Sequence, residues 1–228
     1  MLNPSVQPDF PLAWGFSTRL DAAGTLPQRR MNQIHGTRIV EASDQIQDAD
    51  GLWTQQPGLR IGVRVADCVP VLLAGRVGHR TWIAALHAGW RGAVGASEGR
   101  EPGILRLSVQ RFLDIGGRPE SLFWAFGPSI QRCHFEVGPE VIEAARRDPA
   151  WHDNLAQMGP HGRPHLDLHG FLRAQAHHLG LDPARNGSVP RCTVCEPEIL
   201  YSFRRGDQEG RQWGWIEIPN RQEPTASS

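Results

Sequence analysis

The sequence predicts a single domain of mixed α/β class, in which a mixed sheet is accompanied by helices. Three observations predict it. A length of 228 residues suits one domain. Short continuous apolar runs at residues 61–74 and 82–92 are typical of strands that are buried on both faces. Apolar residues then recur at helical spacing over residues 105–113, so we expect a helix after the second strand.

The remaining elements follow from local signals along the chain. One face of the helix predicted at residues 105–113 carries four apolar side chains: Leu105, Val109, Phe112 and Leu113. Further strands are predicted at residues 38–42, 122–126 and 212–218. Residues 138–145 suit a helix with proline in its first turn, and Asp167 can cap a helix that Gly180 ends. Residues 152–164 are rich in Gly, Pro and His and predict a loop.

Composition limits the function classes and the location. All 24 basic residues are arginines and they balance 24 acidic residues, so neither nucleic-acid nor membrane binding is expected. The absence of lysine excludes Schiff-base catalysis and a lysine-bearing phosphate loop. We expect a domain at residues 12–220 between a loose lead-in at 1–11 and a polar tail at 221–228. Without a visible secretory signal, the four cysteines predict reduced thiols and a cytoplasmic protein.

The sharpest set of chemistry-bearing residues is His35, Cys68 and His87. Two imidazoles and a thiolate are standard zinc ligands, and three protein ligands leave a fourth position for water or substrate. Their separations of 33 and 19 residues match no local zinc-finger spacing, and residue types alone favour a buried cysteine with two hydrogen-bonded histidines. Glycines beside them, at Gly36 and Gly89, are typical of turns where the backbone approaches a ligand and favour a binding site.

The same residues allow a second interpretation. Cys68 and His87 can form a nucleophilic thiolate and its base, oriented by Asp67 or Asp50, as in a metal-free cysteine hydrolase or amidase. A dyad of this kind has no need for His35. The two hypotheses therefore differ in a testable respect.

Other cysteines and histidines give weaker signals. Cys192 and Cys195 resemble half of a four-cysteine zinc site or a redox pair, but without a second such pair ordinary packing is predicted. Histidines recur every four residues at 161, 165 and 169, yet Gly162 and Pro164 interrupt a helix there, so a solvated loop is predicted. The pair at 177 and 178 is expected at the surface.

Arginines are the candidate anion contacts, because a guanidinium matches phosphate or carboxylate geometry. Taken singly, each of these arginines is typical of a residue that forms an ion pair at the protein surface. Arg91 is favoured, because it follows His87 by four residues in a glycine-flanked turn. The arginines that lie near glycines, aromatic residues or the suspected site are Arg19, Arg29, Arg30, Arg64, Arg91, Arg204 and Arg205.

A series of short motifs occurs in a fixed order and resembles one family. The motifs are Asn32-Gln-Ile-His35-Gly36, Ala49-Asp50-Gly51, Ala66-Asp67-Cys68-Val-Pro70-Val, His87-Ala-Gly-Trp-Arg-Gly92, Phe126-Gly-Pro-Ser-Ile130, Cys133-His-Phe-Glu136-Val-Gly138, Cys192-Thr193 and Tyr201-Ser-Phe-Arg-Arg205. Together they resemble the bacterial YfiH/YlmD-like family of laccase-domain proteins, also named polyphenol oxidase or peptidoglycan-editing factor. The resemblance covers roughly residues 15 to 217.

The resemblance implies a single-domain fold that is distantly like cysteine-hydrolase toxins. It also implies a zinc ion held by His35, Cys68 and His87, with copper as the alternative metal. The implied activity is phosphorolysis of the purine nucleosides adenosine, inosine and methylthioadenosine to the free base and a sugar 1-phosphate. Adenosine deamination is a second implied activity. A genuine multicopper laccase is not expected, because the chain contains no His-x-His pair.

Roles within such a site follow from charge. Arg91 or Arg64 is expected to hold phosphate, and Asp67 or Asp50 to carry a proton. Further substrate contacts are predicted at Arg19, Gln33 and Ser129.

The chain departs from the family before the first histidine motif. Family members usually carry a longer insertion there, ending in an Asn-Arg helix, whereas residues 21–27 form only a short connection. Arg29 or Arg30 is a candidate replacement for the missing arginine. The range of substrates depends on what replaces this segment.

Overall fold

The computed structural model of the protein describes residues 1–21, 27–95 and 101–220. The polar tail predicted at residues 221–228 lies outside the described residues, as does most of the short connection at 21–27. In the described residues a mixed α/β fold is present, which confirms the predicted class.

The described residues form ten strands in three sheets. The strands are β1 Ala13–Phe16, β2 Ile39–Glu41, β3 Gly51–Thr54, β4 Arg60–Val65, β5 Val69–Val77, β6 Arg80–Ala88, β7 Phe123–Phe126, β8 Ala156–Met158, β9 Pro164–Leu166 and β10 Gln212–Glu217. The largest sheet has the order β2-β3-β6-β5-β7, the second has the order β1-β10-β4, and β8 pairs with β9. All neighbours are antiparallel except β2 and β3, which are parallel.

Helices cover one side of the large sheet. The α-helices of the described residues are α1 Trp90–Val94, α2 Ile104–Asp114, α3 Pro139–Ala145 and α4 Leu168–His178. Short 3₁₀ turns occupy Pro119–Ser121, Asp153–Leu155 and Pro183–Arg185. As predicted, Pro139 begins α3, and the Asp167 side chain caps α4 by accepting a hydrogen bond from the Gly170 amide at 2.7 Å. Gly180 follows with a positive φ of 81°.

The large sheet is the middle of three layers, and its side chains alternate between two hydrophobic cores. Val71 and Leu73 of β5 pack with the helices, whereas Leu72 and Ala74 pack against the small sheet. All four side chains are fully buried. A central strand between two cores has to be apolar on both faces, which explains the continuous apolar runs in the sequence.

The first apolar run is not one strand. Residues 61–74 divide into all but the first residue of β4, in the small sheet, and the beginning of β5, in the large sheet. The chain crosses between the sheets at residues 66–68, where Asp67 has a φ of +94° that strand geometry excludes. Periodicity could not reveal this break, because both strands are apolar. The crossover carries Cys68.

Three smaller expectations are also corrected. Residues 152–164 were predicted to form a loop, but they contain β8 and the first residue of β9, its antiparallel partner. Leu113 is 39% exposed and lies off the buried face of α2. His169 is not in a solvated loop, since it is a buried residue of α4. His177 and His178 are exposed, as predicted.

Within the described residues, none of the helices combines the length and the apolar character that a membrane crossing demands.

His169 gives a prediction for the dependence of stability on pH. Burial lowers the pKa of His169 from 6.5 to about 4, although Asp167 opposes this. Between pH 6.5 and pH 4 the unfolded chain therefore binds a proton that the folded chain does not. Stability should fall as the pH falls through this window, by roughly 3 kcal/mol for this group.

The measurement is the free energy of unfolding at pH 7.5 and at pH 4.5 for the wild type and for His169→Phe. The loss between the two pH values should be smaller in the variant, which isolates His169 from the other acid-sensitive groups. Equal losses in both proteins would show that the folded state already accommodates the charged ring.

Candidate functional site

The strand order of the large sheet brings His35, Cys68 and His87 together. Cys68 precedes β5, and His87 lies near the end of β6, where it is the register partner of Pro70. The segment that contains His35 leads into β2, two strands away from β6. Residues that are distant in the chain therefore meet at one edge of one sheet.

The three side chains are close enough to share one ion. Their ligand atoms all lie within 4.8 Å of one another, and the two imidazole rings are 4.7 Å apart in an edge-to-face arrangement. Gly89 makes the approach possible, since a Cβ at this position would stand 3.1 Å from Cys68 Sγ. Two imidazoles and one thiolate form a donor set that suits zinc, with a coordination position left for a reactant.

Asp50 contacts both histidine-bearing segments of this cluster. Its fully buried carboxylate contacts His87 Nδ1 at 2.8 Å, which leaves Nε2 of that ring directed away from Asp50. The same carboxylate accepts hydrogen bonds from the backbone amides of Ile34, His35 and Gly36 at 3.3, 2.9 and 2.6 Å. One side chain thus fixes both histidine-bearing segments, and His35 takes a φ of +60° within this turn.

The charges of the cluster favour a thiolate. Burial alone would raise the pKa of Cys68, but hydrogen bonds and positive charge from His35 and His87 lower the pKa to about 6. Burial opposes protonation of His87, yet its contacts with Asp50 and Cys68 raise the pKa of this ring to about 9. Burial would likewise raise the pKa of Asp50, and the contacts with His87 and Gly36 lower it. A thiolate is the form that binds a metal or acts as a nucleophile.

A cleft of about 540 Å³ opens over the three side chains. This volume is typical of sites that hold a small organic molecule. Phe135 and Phe203 contribute aromatic walls, and the acidic residues Asp67 and Glu209 also line the cleft. The residues that line it are Gln33, His35, Arg64, Val65, Ala66, Asp67, Cys68, His87, Ile130, Phe135, Phe203, Arg204, Glu209 and Arg211.

Three arginines line this cleft, and they differ in their partners. Arg204 donates to the backbone oxygens of His134 and Glu136, and Arg211 donates to the Gly210 carbonyl oxygen at 2.7 Å. Arg64 is exposed, lies 5.9 Å from the centre of the Trp213 ring, and forms no ion pair with the described carboxylates. Its guanidinium is therefore the cleft cation best placed to accept an anion.

The other residues expected at the site have different positions. Arg91 lines an adjoining cleft of about 550 Å³ that shares His35 with the first one. Arg19 stacks on Tyr201 at 4.5 Å and pairs with Asp207. Ser129 is fully buried and its hydroxyl accepts a hydrogen bond from Gln131, so it does not line the first cleft.

Gln33 and Asp67 line the cleft, but their polar groups hold other parts of the chain. The Gln33 side chain bonds the backbone of Arg64 in both directions at 2.8 Å. Asp67 accepts a hydrogen bond from Thr193 Oγ1 at 2.6 Å and another from the Arg204 amide at 2.8 Å. These contacts tie both side chains to other parts of the chain at the wall of the cleft.

Sequence reasoning missed two features of this region. Phe135, Phe203, Glu209 and Arg211 were not expected in the cleft, because nothing in their local spacing indicates a shared surface. The second feature concerns the two C-terminal cysteines, for which the sequence predicts ordinary packing. They join a four-residue group that could hold a metal ion, made by Cys133, His134, Cys192 and Cys195. The sequence signal was the Cys133-His134 pair, which supplies the missing half of the site.

Comparison with known proteins identifies the family. The profile of the family described as multi-copper polyphenol oxidoreductase laccase matches residues 17–219. The chain belongs to this laccase-domain family of YfiH/YlmD-like proteins. The predicted resemblance is thereby confirmed, over nearly the whole of the described chain.

Two relatives bear the names of enzymes. A purine nucleoside phosphorylase of Deinococcus radiodurans is 35% identical over 202 residues, which cover 87% of this chain and 73% of that protein. Adenosine deaminase RL5, from an unknown prokaryotic organism, is 34% identical over 181 residues, covering 78% of this chain and 65% of that protein. The crystal structure of Bacillus licheniformis YfiH superimposes with a TM-score of 0.73 at 26% identity, covering 82% and 73% of the two chains. The chain is thus a member of an enzyme family.

The role of Asp50 leads to a prediction for metal affinity. Asp50→Asn keeps the size of the side chain but replaces an acceptor oxygen with a donor, so the hold on His87 and on the His35 turn weakens. Loss of such a partner of a metal ligand typically reduces metal affinity about 10–100-fold. Competition with a chelating dye measures the zinc dissociation constant.

Asp48→Asn is the matched control, because Asp48 is an exposed acid of the same segment and bonds Asn32. It should bind zinc as the wild type does. If the two variants bind zinc equally tightly, Asp50 does not orient the site.

Proposed function

We propose that the chain is a zinc-dependent purine nucleoside phosphorylase whose reaction takes place in the cleft over His35, Cys68 and His87. One observation carries the proposal. A donor set that suits zinc opens onto a cleft with aromatic walls and with Arg64, which forms no ion pair with the described carboxylates. The family relationship supports the same conclusion, because a relative with 35% identity bears the name purine nucleoside phosphorylase.

The nucleoside is proposed to bind between Phe135 and Phe203. An aromatic ring gains a stacking contribution of about 0.5–1.5 kcal/mol beyond the burial of its surface. A purine is the planar part of the proposed substrates adenosine, inosine and methylthioadenosine. The ribose would then extend toward the floor of the cleft, where the three candidate ligands lie.

Phosphate is proposed to bind Arg64. In phosphorolysis an oxygen of phosphate forms a bond to C1′ of the ribose while the bond from C1′ to the purine nitrogen breaks. The electron pair of that bond leaves with the purine, which takes up the proton that phosphate loses. A guanidinium beside the anion holds it in position and balances its charge. The carboxyl group of Glu209 is proposed to carry this proton to the purine. Asp67 is less suited to the task, because Thr193 and Arg204 occupy both of its carboxylate oxygens.

When bound, zinc supplies Lewis acidity beside the reacting groups. The chain's own contribution is to hold its ligands. Asp50 fixes the His87 ring and the His35 turn, and Cys68 is kept as a thiolate. Adenosine deamination is proposed as a second activity of the same cleft, with water attacking C6 of the purine and ammonia leaving, since RL5 is named an adenosine deaminase.

A metal-free cysteine hydrolase is the second candidate, and one observation favours it. Cys68, His87 and Asp50 stand in the order of a thiolate, its base and the group that orients the base. Such an enzyme would keep its turnover after exhaustive chelation and lose it on alkylation by iodoacetamide. Chelator-sensitive turnover contradicts this candidate.

Product identification tests the proposal. Purified protein incubated with adenosine and phosphate should release adenine and ribose 1-phosphate, and adenine should not form when phosphate is omitted. Inosine formed without phosphate reports deamination. Chromatography of the products distinguishes these outcomes, with Cys68→Ala as the variant expected to lose both turnover and the zinc ion of the three-residue site. A Cys68→Ala protein that retains wild-type activity would refute the role of the three-residue site.

The position of phosphate is tested with a pair of arginine variants. Arg64→Ala should raise the KM for phosphate at least tenfold with a smaller effect on the KM for the nucleoside, because Arg64 is the cleft arginine proposed to bind phosphate. Arg91→Ala tests the adjoining cleft in the same assay, and Arg118→Ala, at an exposed position, controls for the loss of a positive charge. A large effect of Arg91→Ala with none from Arg64→Ala would move phosphate to the adjoining cleft.

A further inference from the structure

A second group of metal-ligating side chains lies outside the three-residue site. Cys133 and His134 follow β7, whereas Cys192 and Cys195 lie between α4 and β10. Their ligand atoms are all within 4.8 Å of one another, although 59 residues separate Cys133 from Cys192. All four cysteines of the chain are free thiols, so no disulfide accounts for the convergence.

The distances within this group match the edges of a tetrahedron. His134 Nδ1 lies 3.2, 3.5 and 3.7 Å from the sulfurs of Cys133, Cys195 and Cys192. Cys133 Sγ lies 3.6 and 3.7 Å from the sulfurs of Cys192 and Cys195. Metal bonds of about 2.3 Å to sulfur and about 2.0 Å to nitrogen place tetrahedral ligands roughly 3.5–3.8 Å apart. The sulfurs are much farther apart than the ~2.05 Å of a disulfide.

We propose that Cys133, His134, Cys192 and Cys195 bind a second zinc ion with a structural role. Three thiolates and one imidazole form one of the standard ligand sets of structural zinc. Four protein ligands fill a tetrahedral coordination shell, so this ion has no open position for a reactant. The site therefore differs in kind from the cluster of His35, Cys68 and His87.

The backbone around the group is already ordered by short contacts. The Ser129 amide donates to the Arg191 carbonyl oxygen and the Thr193 amide donates to the Ser129 carbonyl oxygen, both at 3.1 Å. The Phe135 amide donates to the Gln131 carbonyl oxygen at 3.0 Å in the turn that carries Cys133 and His134. These bonds place the four ligands before a metal arrives, which reduces the entropy lost on binding.

The same loops form a wall of the cleft. Phe135, which lines the cleft, directly follows His134, and Thr193, which bonds Asp67, directly follows Cys192. Arg205 Nη1 donates to the Thr193 carbonyl oxygen at 2.9 Å. The second zinc ion joins the two loops at this wall and holds Phe135 and Asp67 in place. It thereby acts on the cleft through structure and takes no part in the reaction.

Metal counting tests the proposal. Protein produced with zinc in the medium should contain two zinc ions per chain by mass spectrometry of the elements. Cys195→Ser and Cys68→Ala should each retain one, and the double variant none. His178→Ala is the control for loss of a histidine, because His178 is exposed on α4, and it should retain two. A wild type that contains one zinc ion, which Cys195→Ser also retains, would overturn the proposal.

X-ray absorption at the zinc edge measures the mean number of sulfur ligands per zinc ion, and it can be applied to the wild type itself. One sulfur from Cys68 and three from the second group give a mean of two sulfur ligands per zinc ion when both sites are filled. In Cys68→Ala the mean should rise to three. A mean of one sulfur in the wild type would contradict the second site, and so would copper as the metal found there.

Discussion

The contact between Asp50 and His87 is the interaction on which the site depends. Asp50 is fully buried and precedes β3, whereas His87 is near the end of the neighbouring strand β6. The 2.8 Å contact between their side chains is joined by a 2.7 Å backbone bond from the His87 amide to the Asp50 carbonyl oxygen. A buried carboxylate is costly unless its oxygens are satisfied. The amides of the His35 turn satisfy them, so the cost of burial enforces the shape of the site.

Much of the architecture was readable from the sequence because apolar periodicity reports burial. It located the helices at 104–114 and 139–145 and the strands near 39–41, 123–126 and 212–217. It failed at residues 61–74, where two strands in different sheets are both apolar and only the positive φ of Asp67 separates them. Burial patterns contain no information about which sheet a strand joins. The prediction for His169 was also wrong. Gly162 and Pro164 disfavour a helix only in their own neighbourhood, and α4 begins at Leu168, beyond both residues.

The site was accessible from the sequence only in part. Residue chemistry and family motifs brought attention to His35, Cys68 and His87, and the structure places them together. The walls of the cleft were not accessible, because Phe135, Phe203 and Glu209 come from three separate loop positions with no common spacing. The group of Cys133, His134, Cys192 and Cys195 was also not predicted, although its ligands are close to one another in the sequence within each pair. Its ligands form two close pairs whose partnership depends on a tertiary contact between the loops after Ser129 and Arg191.

The crossover at residues 66–68 connects these features. Asp67 and Cys68 are neighbours in the chain, and Asp67 has a positive φ. Their side chains contact different parts of the protein. Cys68 faces the histidines, while Asp67 holds Thr193 and the Arg204 amide. A left-handed conformation of a residue other than glycine costs roughly 1–3 kcal/mol, and it persists only where surrounding contacts enforce it. One of those contacts comes from Thr193, which directly follows Cys192 of the second cysteine group. The candidate ligand Cys68 is therefore positioned in part by the segment that the proposed second site would hold.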